Sequence, residues 1–248
     1  MSMLDGKIVV VTAAAGTGIG YSTARRCMEE GATVVISDRH ERRLTEAADR
    51  LGAHGSRPVA IPCDVTVQAE VDALIAGALT AHGRIDVLVN NAGLGGTANV
   101  VDMPDEQWHR VIDVTLTATM RCMRAALPSM IERGTGVIVN NSSVLAWRAQ
   151  VGQAHYAAAK AGVNALTRCA ALEVAQHGIR INAVAPSLAM HAFLHKVTTP
   201  ELLAELEGRE AFGRGATPDE IANVILFLAS DLSSYMTGEV VSVSSQRA

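Results

Sequence analysis

Aromatic residues are scarce in this chain, with two Trp, three Tyr and three Phe among 248 residues. A core of ordinary size must then be filled by Val, Ile, Leu and Ala, which suits alanine-rich helices packed closely on a Val/Ile sheet. A basic excess is also missing. The net charge is −4, which speaks against nucleic acid as a partner, because phosphate contacts need a basic surface. No apolar stretch approaches the roughly 20 residues that span a bilayer, so no membrane partner is expected. The start of the chain carries Asp5 and enters a strand by Lys7, without the positive start and long apolar segment of a signal peptide. The four cysteines, Cys27, Cys63, Cys122 and Cys169, are scattered. None forms a Cys-x-x-Cys pair or stands near a histidine at metal-ligand spacing, so no metal is expected. Reduced thiols and a cytoplasmic location follow as expectations.

What the chain does have is apolar content of 49% against 19% charged residues, the balance of a large buried core and not of disorder. Apolar runs alternate with amphipathic stretches almost throughout. Strands are expected at 7–12, 33–37, 59–62, 85–90, 136–141, 180–184 and 240–243. Helices are expected at 19–30, 41–51, 68–82, 105–133, 154–177 and 218–230. The strands read as continuous apolar runs, as in a parallel sheet covered on both faces. Right-handed crossovers then wind the chain into an α/β fold, a single doubly wound Rossmann-type domain over 1–248. Its sheet is seven-stranded and mostly parallel, with helices on both faces. The segment at about 186–217 breaks the rhythm and reads as a substrate lid beyond the carboxyl end of a strand.

The first strand runs into Ala13-Ala14-Ala15-Gly16-Thr17-Gly18-Ile19-Gly20, where a helix begins. Glycines let backbone approach a pyrophosphate, and a helix N-terminus supplies amides and a positive dipole end. The usual Gly-x-Gly-x-x-Gly does not fit, since Tyr21 stands at its last glycine. Thr12, Ala14, Thr17, Gly18, Ile19 and Gly20 are the candidate contacts. Asp38 follows the second strand, eighteen residues after Gly20. A carboxylate there accepts from a ribose 2′-hydroxyl and repels a 2′-phosphate, which favours NAD over NADP, whereas the neighbouring Arg39 could pair with that phosphate. Asp64, beside Val65, is open to two roles, accepting from an adenine amino group or capping the helix that follows. Asn90-Asn91-Ala92-Gly93 ends the fourth strand with small residues that keep a crevice open, and its amides can stitch strands or orient a ribose.

Ser143, Tyr156 and Lys160 carry the reactive chemistry. Tyr156 and Lys160 are four apart and share a helical face. A nearby ammonium favours the phenolate, and a cationic cofactor ring adds to this. Ser143, thirteen residues upstream of the tyrosine, can hold a carbonyl or alcohol oxygen against the phenol. Trp147 and Arg148 follow on a loop, and His155 precedes the tyrosine. Met190, Phe193 and Leu194 give the lid an apolar side. An apolar pocket with one cation suits a ring or acyl compound bearing an acid or CoA tail.

These pieces together resemble the short-chain dehydrogenase/reductase family over nearly the whole chain. The matching residues are Gly18-Ile19-Gly20, Asp64-Val65, Asn90 to Gly93, Ser143, Tyr156-Ala157-Ala158-Ala159-Lys160, Asn182-Ala183-Val184-Ala185-Pro186, Gly213-Arg214 and Tyr235-Met236-Thr237-Gly238. The resemblance implies an oxidoreductase interconverting a secondary alcohol and a ketone. In it Tyr156 is the acid/base, Lys160 holds the nicotinamide ribose and Ser143 fixes the substrate oxygen. It further implies a dimer or tetramer, and contacts near the nicotinamide from Pro186, Ala189 and His191. His191 stands where the family has a threonine, and faces either the carboxamide or the substrate. Ala13 replaces a family glycine, and Thr115 replaces the helix asparagine that helps hold a water in the proton relay. The family's Pro-Gly is Pro186-Ser187 here, and its late Asp-Gly-Gly is Ser244-Ser245-Gln246. The turn, Thr115 and Pro186 to His191 together resemble a subgroup of actinobacterial steroid-ring degradation, whose substrates are hydroxyacyl or oxoacyl CoA thioesters. A different reading rests on Ala13, Thr115 and His191, namely a non-catalytic nucleotide-binding or scaffold protein on the same fold.

Overall fold

The computed structural model describes residues 2–53, 55–190, 194 and 199–245. The strands are β1 (Ile8–Val11), β2 (Thr33–Asp38), β3 (Val59–Pro62), β4 (Val87–Asn90), β5 (Gly136–Asn141), β6 (Ile179–Pro186) and β7 (Val240–Val243). They form one sheet in the order β3-β2-β1-β4-β5-β6-β7, and every pairing is parallel. The expected "mostly parallel" sheet is thus parallel throughout. The order reverses between β1 and β4, which opens a crevice at the carboxyl ends of those strands.

Alternation along the strands feeds two cores. Val9, Val11, Val34, Ile36, Val87 and Val89 face α1 (Ile19–Glu29), α2 (Glu41–Gly52) and, farther along the sheet, the helix Pro218–Ala229. Val10, Val35, Leu88, Ile138 and Ile181 face α3 (Gln68–His82), the helix Ala118–Arg133 and the helix Ala154–Val174. Ala24, Ala47, Ala48, Ala78, Ala126 and Ala171 are fully buried. Small side chains bring helix and sheet close, so that the core needs few rings.

The stretch expected as one helix over 105–133 is broken. It consists of α4 (Asp105–Ile112), a π-helical turn over Asp113–Thr117 and α5 (Ala118–Arg133). The amide of Ala118 reaches back to the Asp113 carbonyl, one residue farther than an α-helix allows. The hydrophobic period carried no trace of this, because the widened turn is held by Thr115 against a distant loop. The last expected helical turn at 175–177 is a 3₁₀ turn after α6 (Ala154–Val174), closed by Gly178 at φ +70°. Beyond β6 come α7 (Pro200–Gly208) and α8 (Pro218–Ala229). A capping box at Thr217 and Glu220 starts α8.

Candidate active site

The turn after β1 hangs on neighbouring strands. The Ala14 amide donates to the Ser37 carbonyl at 2.9 Å. Ala13 has φ +53°, the one non-glycine in the left-handed region among the described residues. Its methyl costs about 1–2 kcal/mol there and leaves the path of a glycine turn intact. Gly20 has no such latitude, since a Cβ would lie 2.5 Å from Asn91 Nδ2 and 2.6 Å from the Ala13 carbonyl. Gly18 precedes α1, no side chain caps that helix, and its first turn holds no acidic residue. The amides from Ile19 onward and the positive dipole end thus face outward for an anion, and Gly16 and Thr17 form the exposed rim.

Asp38 sits at the end of β2 with its carboxylate fixed. Oδ1 accepts from the His40 amide at 3.0 Å and Oδ2 from the Ala15 amide at 3.4 Å. Asp64 accepts from the Thr66 amide at 2.9 Å and the Thr66 hydroxyl at 2.6 Å. Burial raises its pKa, but these hydrogen bonds and the charges of Arg39 and Arg110 outweigh that and hold it below the ordinary range. The helix-cap role for Asp64 is corrected, because α3 starts after Val67 with no side-chain cap. Instead, the carboxylate closes a tight turn. Val65 is buried behind it. Arg39, Asp64, Thr66, Arg110 and Val114 line a cavity of about 610 Å³ at this end of the crevice.

Small polar residues link the turn to the reactive cluster. Thr12 Oγ1 accepts from the amides of Asn91 at 3.0 Å and Ala92 at 3.2 Å. Asn91 Nδ2 donates to the Thr12 and Ala13 carbonyls at 3.2 and 3.1 Å. Asn141 Nδ2 donates to Asn91 Oδ1 at 3.0 Å, and Lys160 Nζ donates to the Asn141 carbonyl at 2.5 Å. Gly93 keeps this space clear, since a Cβ there would stand 3.4 Å from Lys160 Nζ.

Lys160 is 2% exposed, and Nζ lies 5.5 Å from the centre of the Tyr156 ring. Burial pulls the Lys160 pKa down to about 7. Burial also pushes the Tyr156 phenol up to about 12, opposed by a hydrogen bond with the Ser143 hydroxyl. Without a cofactor ring beside them, burial sets the direction of both shifts. Ser143 accepts from the Leu145 amide at 3.2 Å, and its hydroxyl lies 3.5 Å from the Pro186 carbonyl. Ser143 and Tyr156 hydroxyls brought together in this way can hold one carbonyl oxygen between them.

Thr115 clasps the loop that follows β4. Its Oγ1 accepts from the Leu94 amide at 3.0 Å and donates to the Leu94 carbonyl at 3.2 Å. Trp147 is half exposed after a 3₁₀ turn, and the Arg148 guanidinium lies 3.5 Å from the Ser244 hydroxyl. Ala189 pairs with Ala216 in a parallel bridge that joins the two stems of the 186–217 segment. His191 and Phe193 lie outside the described residues. Among the described residues, no cluster of three His, Cys, Asp or Glu side chains could hold a metal, and no helix is long and apolar enough to cross a membrane.

Several residues escaped the sequence pattern. Asn140 bonds Asn90 and Thr167, each at 2.9 Å, beneath the crevice. Gln107, Gln153 and His155 gather on the loop after β4. Two asparagines at the end of an apolar strand were a signal for the first group. Nothing local marked the glutamines.

A family model described as enoyl-(acyl carrier protein) reductase matches residues 13–245. The chain belongs to the short-chain dehydrogenase/reductase family, whose members are oxidoreductases acting on hydroxyl and keto groups with a nicotinamide nucleotide. It is 62% identical over 246 residues, 98% of this chain and 94% of the other, to (5R,7aS)-5-hydroxy-7a-methyl-1-oxo-2,3,5,6,7,7a-hexahydro-1H-indene-carboxyl-CoA reductase of Mycobacterium tuberculosis. It is 41% identical over 238 residues, 96% and 94% of the two chains, to cis-4-hydroxycyclohexanecarboxylate dehydrogenase of Sinomonas cyclohexanicum. A crystal structure of a short chain dehydrogenase from Mycobacterium smegmatis superposes with a TM-score of 0.89 at 59% identity, over 100% and 95% of the two chains.

Proposed function

We propose that this protein interconverts a secondary alcohol and a ketone on a cyclic, CoA-linked substrate of steroid-ring breakdown. The observation that carries the reaction type is the meeting of Ser143, Tyr156 and Lys160 beside a crevice at the strand-order reversal. The substrate class is supported by the 62% identical indene-carboxyl-CoA reductase.

The crevice suits a dinucleotide. Gly18, Ile19 and Gly20 present uncapped helix amides to the pyrophosphate, with Thr12, Ala14 and Thr17 shaping the turn. Asp38, fixed by two amides, accepts from the adenosine ribose and favours NAD over NADP, with Arg39 at the rim. Asp64 and Val65 flank the adenine. Asn91, Ala92, Gly93 and Lys160 would hold the nicotinamide ribose, with Pro186 and Ala189 on the side of the carboxamide. When bound, a nicotinamide would supply or accept the hydride, and its oxidised form would add a positive charge to the site.

The remaining steps belong to the chain. Ser143 orients the substrate oxygen. Tyr156 gives its proton to that oxygen in reduction and takes it back in oxidation. Lys160, balanced between charge states near neutral pH, holds the ribose and replenishes the phenol. Thr115 steadies the relay by fixing Leu94. Trp147, Arg148 and His191 contact the rest of the substrate, and the 186–217 segment covers it.

The whole chain acts as one domain in a homotetramer or homodimer, with self-association covering exposed Leu172 on α6. A cytoplasmic setting suits the free thiols, exposed Cys169 among them. The scaffold reading gains no support, since the catalytic trio is whole and the relatives are named as reductases and dehydrogenases.

The test mixes pure protein with NADH or NADPH and a panel of ketones, including a bicyclic oxo-acid CoA thioester, and follows nicotinamide absorbance. Turnover with NADH is expected for the CoA thioester, and Tyr156→Phe is expected to cut it by on the order of 10³-fold while still binding NADH. Full activity of that variant would refute the role given to the phenol.

A further inference from the structure

The loop over residues 94–98 forms the wall of the crevice beside Tyr156, and it is fastened to the helix that carries that tyrosine. Gly95 lies against the phenol, where a Cβ would stand 4.0 Å from Tyr156 Cδ2. The next residue is enclosed. A Cβ on Gly96 would lie 2.8 Å from Gln107 Nε2 and 3.2 Å from His155 Nε2. Gln153, the residue before α6, donates its amide to the Gly96 carbonyl at 2.8 Å and lies 3.3 Å from the Thr97 hydroxyl. The Ala98 amide donates to the Gly152 carbonyl at 3.1 Å.

Behind this loop the Gln107 amide and His155 Nε2 are 3.0 Å apart. His155 is fully buried, and its Nδ1 has no hydrogen-bond partner among the described residues. A buried polar nitrogen left unpaired costs about 1–3 kcal/mol. A phenylalanine would fill the same volume without that cost. A histidine kept here is therefore explained by what Nε2 holds, not by packing.

We propose that the Gln107–His155 pair, together with Gln153, sets substrate specificity by pinning the Gly95–Gly96 wall to the helix that bears Tyr156. These are positioning residues. They fix the distance between the base and the surface against which the carbon skeleton flanking the reacting carbonyl lies. Gly95, with no side chain beside the phenol, leaves that surface flat, which fits a fused-ring ketone better than a narrow acyl chain. The proposal rests on the reading of Tyr156 as the proton donor.

The test uses the full chain with Gln107→Met and His155→Phe, which keep volume and remove the bond. Hydrogen–deuterium exchange at 94–98 is expected to quicken about tenfold in each, with β1 and β5 unchanged. Steady-state rates are taken with NADH and 1-decalone, cyclohexanone and the bicyclic CoA thioester. KM for the fused-ring ketone is expected to rise about tenfold while kcat changes by less than about threefold, so that its advantage over cyclohexanone shrinks. Gln107→Glu, whose carboxylate can accept once the imidazole carries its proton on Nε2 in place of the amide donation seen here, is expected to restore KM to within about threefold. Gln107 is only partly buried, so its variants keep the test open should His155→Phe not fold. Unchanged exchange overturns the proposal, as does quickened exchange with unchanged KM and selectivity. If the wild type reduces none of the ketones, the functional reading fails separately, and exchange still decides whether the pair holds the loop.

Discussion

On the cofactor side of the crevice, Thr12, Asn91 and Asn141 sit at or just beyond the ends of adjacent strands, and the ladder sets their spacing before any side chain acts. On the substrate side, residues 94–98 and 147–153 lie off the sheet; Thr115 of the π turn and Gln153, just before α6, bond the first of them, and the Gln107–His155 contact between α4 and α6 lies behind it. The first wall tolerates an odd residue such as Ala13, because its path is fixed by neighbours. The second depends on individual amides, hydroxyls and a ring nitrogen. A scaffold that binds one constant cofactor and a changeable substrate gains from this division, since substrate space can be altered without moving the sheet.

The largest test of that division strikes the point where the walls meet. Lys160→Met should lower kcat by on the order of 10²-fold, measured with saturating NADH. The same variant changes stability with pH. Lys160 has a pKa of about 7 in the folded chain and about 10.4 when unfolded. Between those values Lys160 leaves the unfolded chain with more protons, so stability rises with pH above 7, until the buried thiols of Cys27, Cys63 and Cys122, pushed up to about 12, 11 and 12, turn the slope downward above about pH 8.5. Tyr156, raised to about 12 in the fold, adds stability that is present below about pH 10 and lost as pH climbs further. Urea unfolding of the cofactor-free protein should show the rise from pH 7 in wild type, and Lys160→Met should flatten it.

Next in size is Gly20→Ala on the cofactor side. Its methyl meets backbone and Asn91, so a loss of about 2–3 kcal/mol is expected, together with weakened NADH binding by fluorescence titration. If NADH binding stayed intact, the turn would be more compliant than the ladder implies. Thr115→Val keeps volume and loses both bonds to Leu94. It should cost about 1–2 kcal/mol and reduce kcat more than NADH affinity, with Thr115→Ser close to wild type. Equal losses in both parameters would erase the distinction between the walls. The smallest effect expected is a gain. Ala13→Gly relieves the left-handed strain and should raise thermal stability by about 1 kcal/mol without altering turnover.

Legibility followed the same division. Strands β3, β5 and β7 fall where the apolar runs placed them: β5 because both faces of an inner strand must be apolar, and the edge strands β3 and β7 because turn residues bound each run. Tyr156 and Lys160 were legible because helical spacing alone puts them on one face. The break at Thr115 was not, since the residue that widens the turn bonds a loop twenty-one positions away. Gln107 was not singled out in the sequence, and His155, forty-eight positions away, was noted only as the residue before a tyrosine.

The sequence by itself determined the layered α/β architecture, the phosphate turn and the identity of the reactive trio, because periodicity and short spacings act through local backbone geometry. Only the tertiary structure decided the charge states and the substrate wall. Burial, which no local pattern measures, holds Lys160 near neutrality and keeps the phenol protonated. The partners of Leu94 and Gly96, Thr115 of the π turn and Gln153 just before α6, meet that loop only once the helices have packed on the finished sheet.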